Sequence, residues 1–240
     1  MSNLMHILER LNNPQISRVE ILQRDAFLHA LHSAKLIDAD ALSISVGDGI
    51  FDYFALSNKV GIAGITATDI VPCPVKDKDV ALLREMGKWS FLRVPADQDL
   101  PFDKNSFDVV WHQDVIEHVT RPFKFLSEQY RVLREAGVII VGTPNLLRPA
   151  NIIKAAMGRL YFPVVIGSNE EIGEYVHEQE FHERQLQLLM EEVGFVEVKI
   201  RYIYLGFNTF GVNLQDYPQS RFGKTFCHFL FATAKKPSSK

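Results

Sequence analysis

The sequence predicts an α/β chain with a mainly parallel sheet covered by helices on both faces. Three observations predict it. Short β-rich apolar runs alternate with stretches of helical periodicity. A turn containing two glycines follows the first run, and an acidic residue ends the second.

The apolar runs fall at 41–46, 60–68, 91–94, 107–111, 138–141, 196–203 and 226–234. Each is about the length of a buried strand. Between them, 79–88, 122–134 and 180–193 read as amphipathic helices; in the last, Phe181, Leu186, Leu189, Met190 and Val193 recur near helical spacing. Residues 1–40 hold no strand signal, but Ile21, Leu22, Ala26, Leu28 and Leu31 form one helical stripe, which predicts an N-terminal helical lid or packing helix ahead of a single domain over 41–240. Pro144, Pro149, Pro163 and Gly167 interrupt an apolar stretch that is a candidate substrate cap around 145–175.

Composition bounds the function. With 240 residues, 47% of them hydrophobic and 23% charged, the chain buries a full core as one domain. A net charge of -3 and the absence of a long Lys/Arg run argue against a nucleic acid partner. Cys73 and Cys227 are too few for a disulfide framework or a zinc knuckle, which fits a reducing, cytoplasmic setting. His6, Glu9 and Arg10 interrupt the first apolar stretch, so no signal peptide is expected. No stretch approaches the roughly 20 uncharged apolar residues of a membrane span. The His, Glu and Asp positions match no recognised metal-binding spacing, so no metal is expected.

The turn after the first strand reads SISVGDGIFDYF, with Gly47 and Gly49 flanking Asp48. Glycines there let backbone approach a ligand, although two glycines after a strand equally make a plain tight turn. Asp69 lies about 20 residues further on, where a carboxylate accepts hydrogen bonds from both ribose hydroxyls. Alone it reads as a helix cap; with the glycine turn it points to a nucleoside cofactor. A dinucleotide would set its pyrophosphate against Asp48 and Asp52, and the third glycine of its fingerprint is missing. S-adenosylmethionine carries a positive sulfonium and no phosphate, so the same carboxylates suit it.

From 96 to 119 the chain reads ADQDLPFDKNSFDVVWHQDVIEHV, and after a helical stretch it continues YRVLREAGVIIVGTPN. This resembles the class I S-adenosylmethionine-dependent methyltransferases, notably the ubiquinone-biosynthesis-like, type 11 branch. The resemblance rests on Asp97 before Leu100–Pro101–Phe102, on Ser106–Phe107–Asp108 opening the fourth strand, on Glu117–His118–Val119, and on Gly137 before the fifth strand. It implies a Rossmann-like three-layer sandwich whose seven-stranded sheet ends in an antiparallel strand, FLFATAKKP. It also implies Gly47, Asp48 and Gly49 at the methionine part of the cofactor, Asp69 with Ile70 at the ribose, Asp97 with Gln98 at the adenine, and His112 with Gln113 beside the sulfonium. The acidic residue usual in the first strand is Ser45 here, and the third glycine of the turn is Phe51.

Methyl transfer needs alignment of the acceptor more than strong acid–base chemistry, but a hydroxyl acceptor has a proton to lose, and His112, His118 and His177 are the candidate bases. For His118, with Glu117, the alternative is organising the loop after the fourth strand; for His177, holding the cap; and His182 reads as an N-terminal helix residue. The TPNLLRP segment and the apolar stretch after it are loosely similar to methyltransferases that decorate bacterial polysaccharides or lipid-linked glycans. A sugar hydroxyl or carboxyl is the expected acceptor, ahead of a lipophilic small molecule. The alternative is a degenerate methyltransferase fold that binds or regulates without catalysis.

Overall fold

The computed structural model describes residues 18–96, 98–159, 179–207 and 212–238. Seven strands form one sheet in the order β3-β2-β1-β4-β5-β9-β6. These are β1 Ala39–Ile44, β2 Ile62–Asp69, β3 Lys88–Arg93, β4 Phe107–Gln113, β5 Leu133–Pro144, β6 Val196–Ile203 and β9 Phe229–Lys235. β1 pairs in parallel with β2 and β4, whereas β9 runs antiparallel to both β5 and β6. Each predicted run became a strand of this sheet. The largest boundary difference is β5, which starts at Leu133 because Leu133 pairs with Phe107 before a register shift restores regular pairing at Val138. A small hairpin, β7 Leu205–Phe207 with β8 Val212–Gln215, went unpredicted because its strands are too short to show a period.

Helices α1 Arg18–Ala34, α2 Ile50–Ser57 and α3 Asp77–Met86 cover one face, and α4 Pro122–Val132 and α6 Glu183–Val193 the other. The short helices α5 Pro149–Ala156 and α7 Arg221–Thr225 complete the order. α4 begins with proline in its first turn, where a missing N–H costs nothing. α6 starts three residues later than expected because His182 caps it: its side chain accepts from Arg184 N, while Gln185 Oε1 accepts from His182 N at 2.9 Å.

α1 buries Val19, Leu22, Gln23, Ala26, Phe27, Ala30 and Leu31, a continuous 3–4 spaced stripe. Ile21 and Leu28, expected on that stripe, sit at its half-buried flank instead. The face is rotated because Phe27 seats its ring edge-on between Phe51 (5.1 Å) and Trp111 (5.4 Å), tying α1 to α2 and β4. Arg18 forms an ion pair with Asp216, and Tyr217 Oη–H donates to Leu22 O, so both ends of the contact with the hairpin region are polar. Of the expected segments, 1–17 and the cap stretch 160–178 lie outside the described residues. Among the described residues no helix is long and apolar enough to cross a membrane.

Candidate functional site

β1, β2 and β4 end side by side at Ile44, Asp69 and Gln113, and the strand order reverses between β1 and β4. In open α/β sheets that carboxyl edge is where ligands bind. The turn leaving β1 takes left-handed φ at alternate positions: Ser45 (53°), Gly47 (53°) and Gly49 (82°). Phe51, at the place of the family's third glycine, lies in the first turn of α2, and Ser45, at the place of its usual acid, takes a left-handed φ.

The turn is held by carboxylates. Gly47 N donates to Asp69 Oδ2 at 3.1 Å, Val71 N donates to Asp69 Oδ1, and Ile50 N donates to Asp48 Oδ1 at 3.1 Å. Asp69 is 9% exposed and so joins the β1 and β2 turns from a buried position. A Cβ placed on Gly47 would meet nothing within 4 Å, because the residue faces open space.

That space is a cavity of about 350 Å³. The turn contributes Ser45, Gly47 and Asp48; α2 contributes Phe51 and Phe54; β4 and its end contribute Trp111, Gln113 and Asp114; α1 closes one wall with Glu20 and Gln23. Gln23 Nε2 reaches Asp114 Oδ2 at 3.5 Å across the cavity. Among the described lining residues three are carboxylates and none is Lys, Arg or His. Gln113 Nε2 and Oε1 are buried with no hydrogen-bond partner among the described residues, and the amide fills the notch left by Gly142 on β5.

These residues fit S-adenosylmethionine. The lining favours a cation and opposes a pyrophosphate, the bare Gly47 admits close approach, and the Gln113 amide offers an unused donor and acceptor at the cavity.

Of the predicted cofactor residues, Gly47, Asp48 and Gln113 line the cavity and Asp69 adjoins it through Gly47. Gly49 instead turns toward Val75, 3.2 Å from its would-be Cβ. Ile70, whose carbonyl accepts from Arg93 Nε, and the exposed Gln98 stand outside the lining. Asp97 and His177 lie outside the described residues. Glu20, Gln23, Trp111 and Asp114 went unnamed in the sequence; the one available signal was Gln23, a polar residue inside the apolar stripe of α1.

His112 points away from the cavity. It is fully buried with its ring 5.1 Å from Phe125 of α4, and neither nitrogen has a partner among the described residues. Burial pushes its pKa down to about 3, so the folded protein holds it neutral. The unfolded chain binds a proton that the folded one excludes between pH 6.5 and about 3, so this group makes stability fall as pH falls through that window, by up to about 1.4 kcal/mol per unit. The expected result for His112→Leu is a gain of about 1 kcal/mol at pH 7 and a larger one at pH 5 in urea unfolding; a loss at pH 5 relative to the parent would refute this.

His118 sits half-buried in the single 3-10 turn after β4. Its neighbour Glu117 is fully enclosed and accepts Thr143 Oγ1–H at 2.8 Å, linking the β4 and β5 ends. Burial, with the Asp114 charge adding, pushes the Glu117 carboxyl up to about 8.

Residues 42–141 match the family model described as a methyltransferase domain. A probable S-adenosylmethionine-dependent methyltransferase of Mycobacterium tuberculosis (strain CDC 1551 / Oshkosh) is 32% identical over 108 residues, 45% of this chain and 34% of that one. Another, from Mycolicibacterium smegmatis, is 49% identical over 47 residues, 20% and 18% of the two chains. The matches thus span about a third or less of those relatives. Two solved structures share the fold: a Thermotoga maritima S-adenosylmethionine-dependent methyltransferase described as a possible histamine N-methyltransferase (21% identity, 96% and 99% coverage, TM-score 0.57), and the Burkholderia thailandensis 1,6-didemethyltoxoflavin-N1-methyltransferase with bound S-adenosylhomocysteine (18%, 90% and 79%, 0.57). Its sheet order is thus that of the methyltransferase fold, residues 42–141 match the methyltransferase domain, and over part of its length the chain is similar to S-adenosylmethionine-dependent methyltransferases.

Proposed function

We propose that the protein transfers the methyl group of S-adenosylmethionine to an oxygen of a small-molecule or glycan acceptor, with a hydroxyl favoured over a carboxyl. The observation that carries the reading is the cavity at the β1 turn, bordered by Asp69-tethered backbone and lined by carboxylates and aromatic rings without a basic side chain among the described lining residues. The same charge that suits a cationic donor repels an anionic carboxylate acceptor, which is why a hydroxyl is preferred here.

The cofactor supplies a methyl group already activated for displacement. The chain's own residues then have to orient, shield and accept a proton. Asp69 fixes the β1 turn, Gln113 offers its free amide, and the edge-to-face rings of Phe27, Phe51 and Trp111 keep the inner wall dry. Proton acceptance falls to His118 or His177 in this reading, because His112 is enclosed beneath Phe125.

Calorimetric titration of the purified protein with S-adenosylmethionine tests the reading before any acceptor is known. Micromolar affinity is the expected result and licenses a screen of sugar and lipophilic hydroxyl acceptors. A folded sample that binds no cofactor would instead be a protein that keeps this fold for a non-catalytic role.

A further inference from the structure

Asp52, considered above only for its charge near the turn, takes part in none of the contacts described so far. It stands in the first turn of α2, is 1% exposed, and accepts Trp89 Nε1–H from β3 at 2.8 Å through Oδ2. Its Oδ1 has no hydrogen-bond partner among the described residues, and neither has the Trp111 indole N–H. Ser43 and Trp111 flank the carboxyl group, and both also line the cavity. A carboxylate therefore lies one side chain behind the cavity floor. The side chains acting on it are Ser43 of β1, Trp89 of β3, Trp111 of β4 and Asp48 of the turn, and none of these is a cation.

Burying such a group without a cation is unfavourable, and burial, with Asp48 adding, pushes its pKa up to about 6 against the opposing influence of the donors Ser43, Trp89 and Trp111. Glu20, Asp48 and Asp114 on the cavity wall share its sign. A ligand that brings positive charge into the cavity relieves all of them, and the buried member acts through the least screened path.

We propose that Asp52 is a positioning residue for the charged end of the cofactor, and that it makes the site prefer the sulfonium donor over the neutral thioether left after methyl transfer. The inference rests on the cofactor reading above. Its consequence is a site that loosens its hold once the reaction is over: when the methyl group leaves, the sulfur keeps the bonding electron pair, the positive charge departs with the transferred group, and the attraction to Asp52 falls. Below about pH 6 a proton on Asp52 weakens the same preference.

The test is calorimetric affinity of the full chain for S-adenosylmethionine and for S-adenosylhomocysteine at pH 7.5 and pH 5.5. The two ligands share every other titrating group, so the ratio of their affinities isolates the sulfonium. Asp52→Asn is expected to lower that ratio about tenfold at pH 7.5 and to flatten its pH dependence. Trp89→Phe removes a donor that favours the charged carboxyl, so it is expected to keep the ratio at pH 8.5 while moving its fall with acid to higher pH. An Asp52→Asn protein that weakens both ligands alike, or a Trp89→Phe protein that has lost the preference at pH 8.5 too, overturns the proposal. If Asp52→Asn does not fold, a parent ratio that fails to drop between pH 7.5 and 5.5 overturns it as well. Parent protein that binds neither ligand sinks the cofactor reading itself, whereas binding of both with a ratio indifferent to Asp52 sinks this inference alone.

Discussion

Asp69→Ala is expected to lower affinity for S-adenosylmethionine by at least about a hundredfold while leaving a folded protein. The carboxylate holds two backbone N–H groups, Gly47 and Val71, from the two turns that border the cavity. Its removal leaves those donors unpaired near a buried position and frees the one loop that must approach the ligand. The stability cost is that of unsatisfied donors, about 1–3 kcal/mol, which an intact domain tolerates. Calorimetry reads the affinity and urea unfolding the stability. Parent-like affinity with the substitution in place would show that neither the tether nor the carboxylate contributes to binding.

The largest stability effect is expected at Phe27. Its fully buried ring is the joint of α1 with Phe51 and Trp111, and nothing else in α1 has comparable volume at the cavity's inner wall. Phe27→Ala leaves a void and is expected to cost about 3–5 kcal/mol, seen as a lower urea midpoint; Phe27→Leu keeps most of the volume and is expected to cost well under half of that. Because Glu20 and Gln23 stand on the same helix, cofactor affinity is expected to fall with stability in the alanine variant. Loss of less than about 1 kcal/mol would mean that α1 docks without this ring.

The sheet was legible because a buried parallel strand is written as a mostly apolar run, as at 41–46 and 107–111, whereas the antiparallel edge strand at 196–203 shows in VEVKIRYI the alternation of a half-exposed strand. That Gly47, Asp48 and Asp69 come together at the cavity was legible for a different reason: a tight turn and a strand-end carboxylate occupy fixed places at the carboxyl edge of such a sheet, although the backbone tether made by Asp69 was not foreseen. The α1 wall was not legible, since nothing in residues 18–34 states where in space that helix docks, and the choice between the Ile21/Leu28 and the Val19/Phe27 sides was made by Phe51 and Trp111. His112 misled because a histidine at a strand's end has the same spelling whether it faces the cavity or the helix layer; the two-residue period of β4, with Trp111 and Gln113 on the cavity side, puts it on the other. The left-handed φ of Ser45 was not legible, because only glycine announces such a conformation in a sequence.

Gly142 lies on β5, where its carbonyl accepts Asp114 N–H at 3.0 Å and its missing side chain leaves room for the Gln113 amide, which lies where a Cβ would be. The shape of the cavity is therefore set in part from β5: a single methyl group at this position would act as a spacer that the Gln113 amide, itself a lining residue, would have to leave its berth to accommodate.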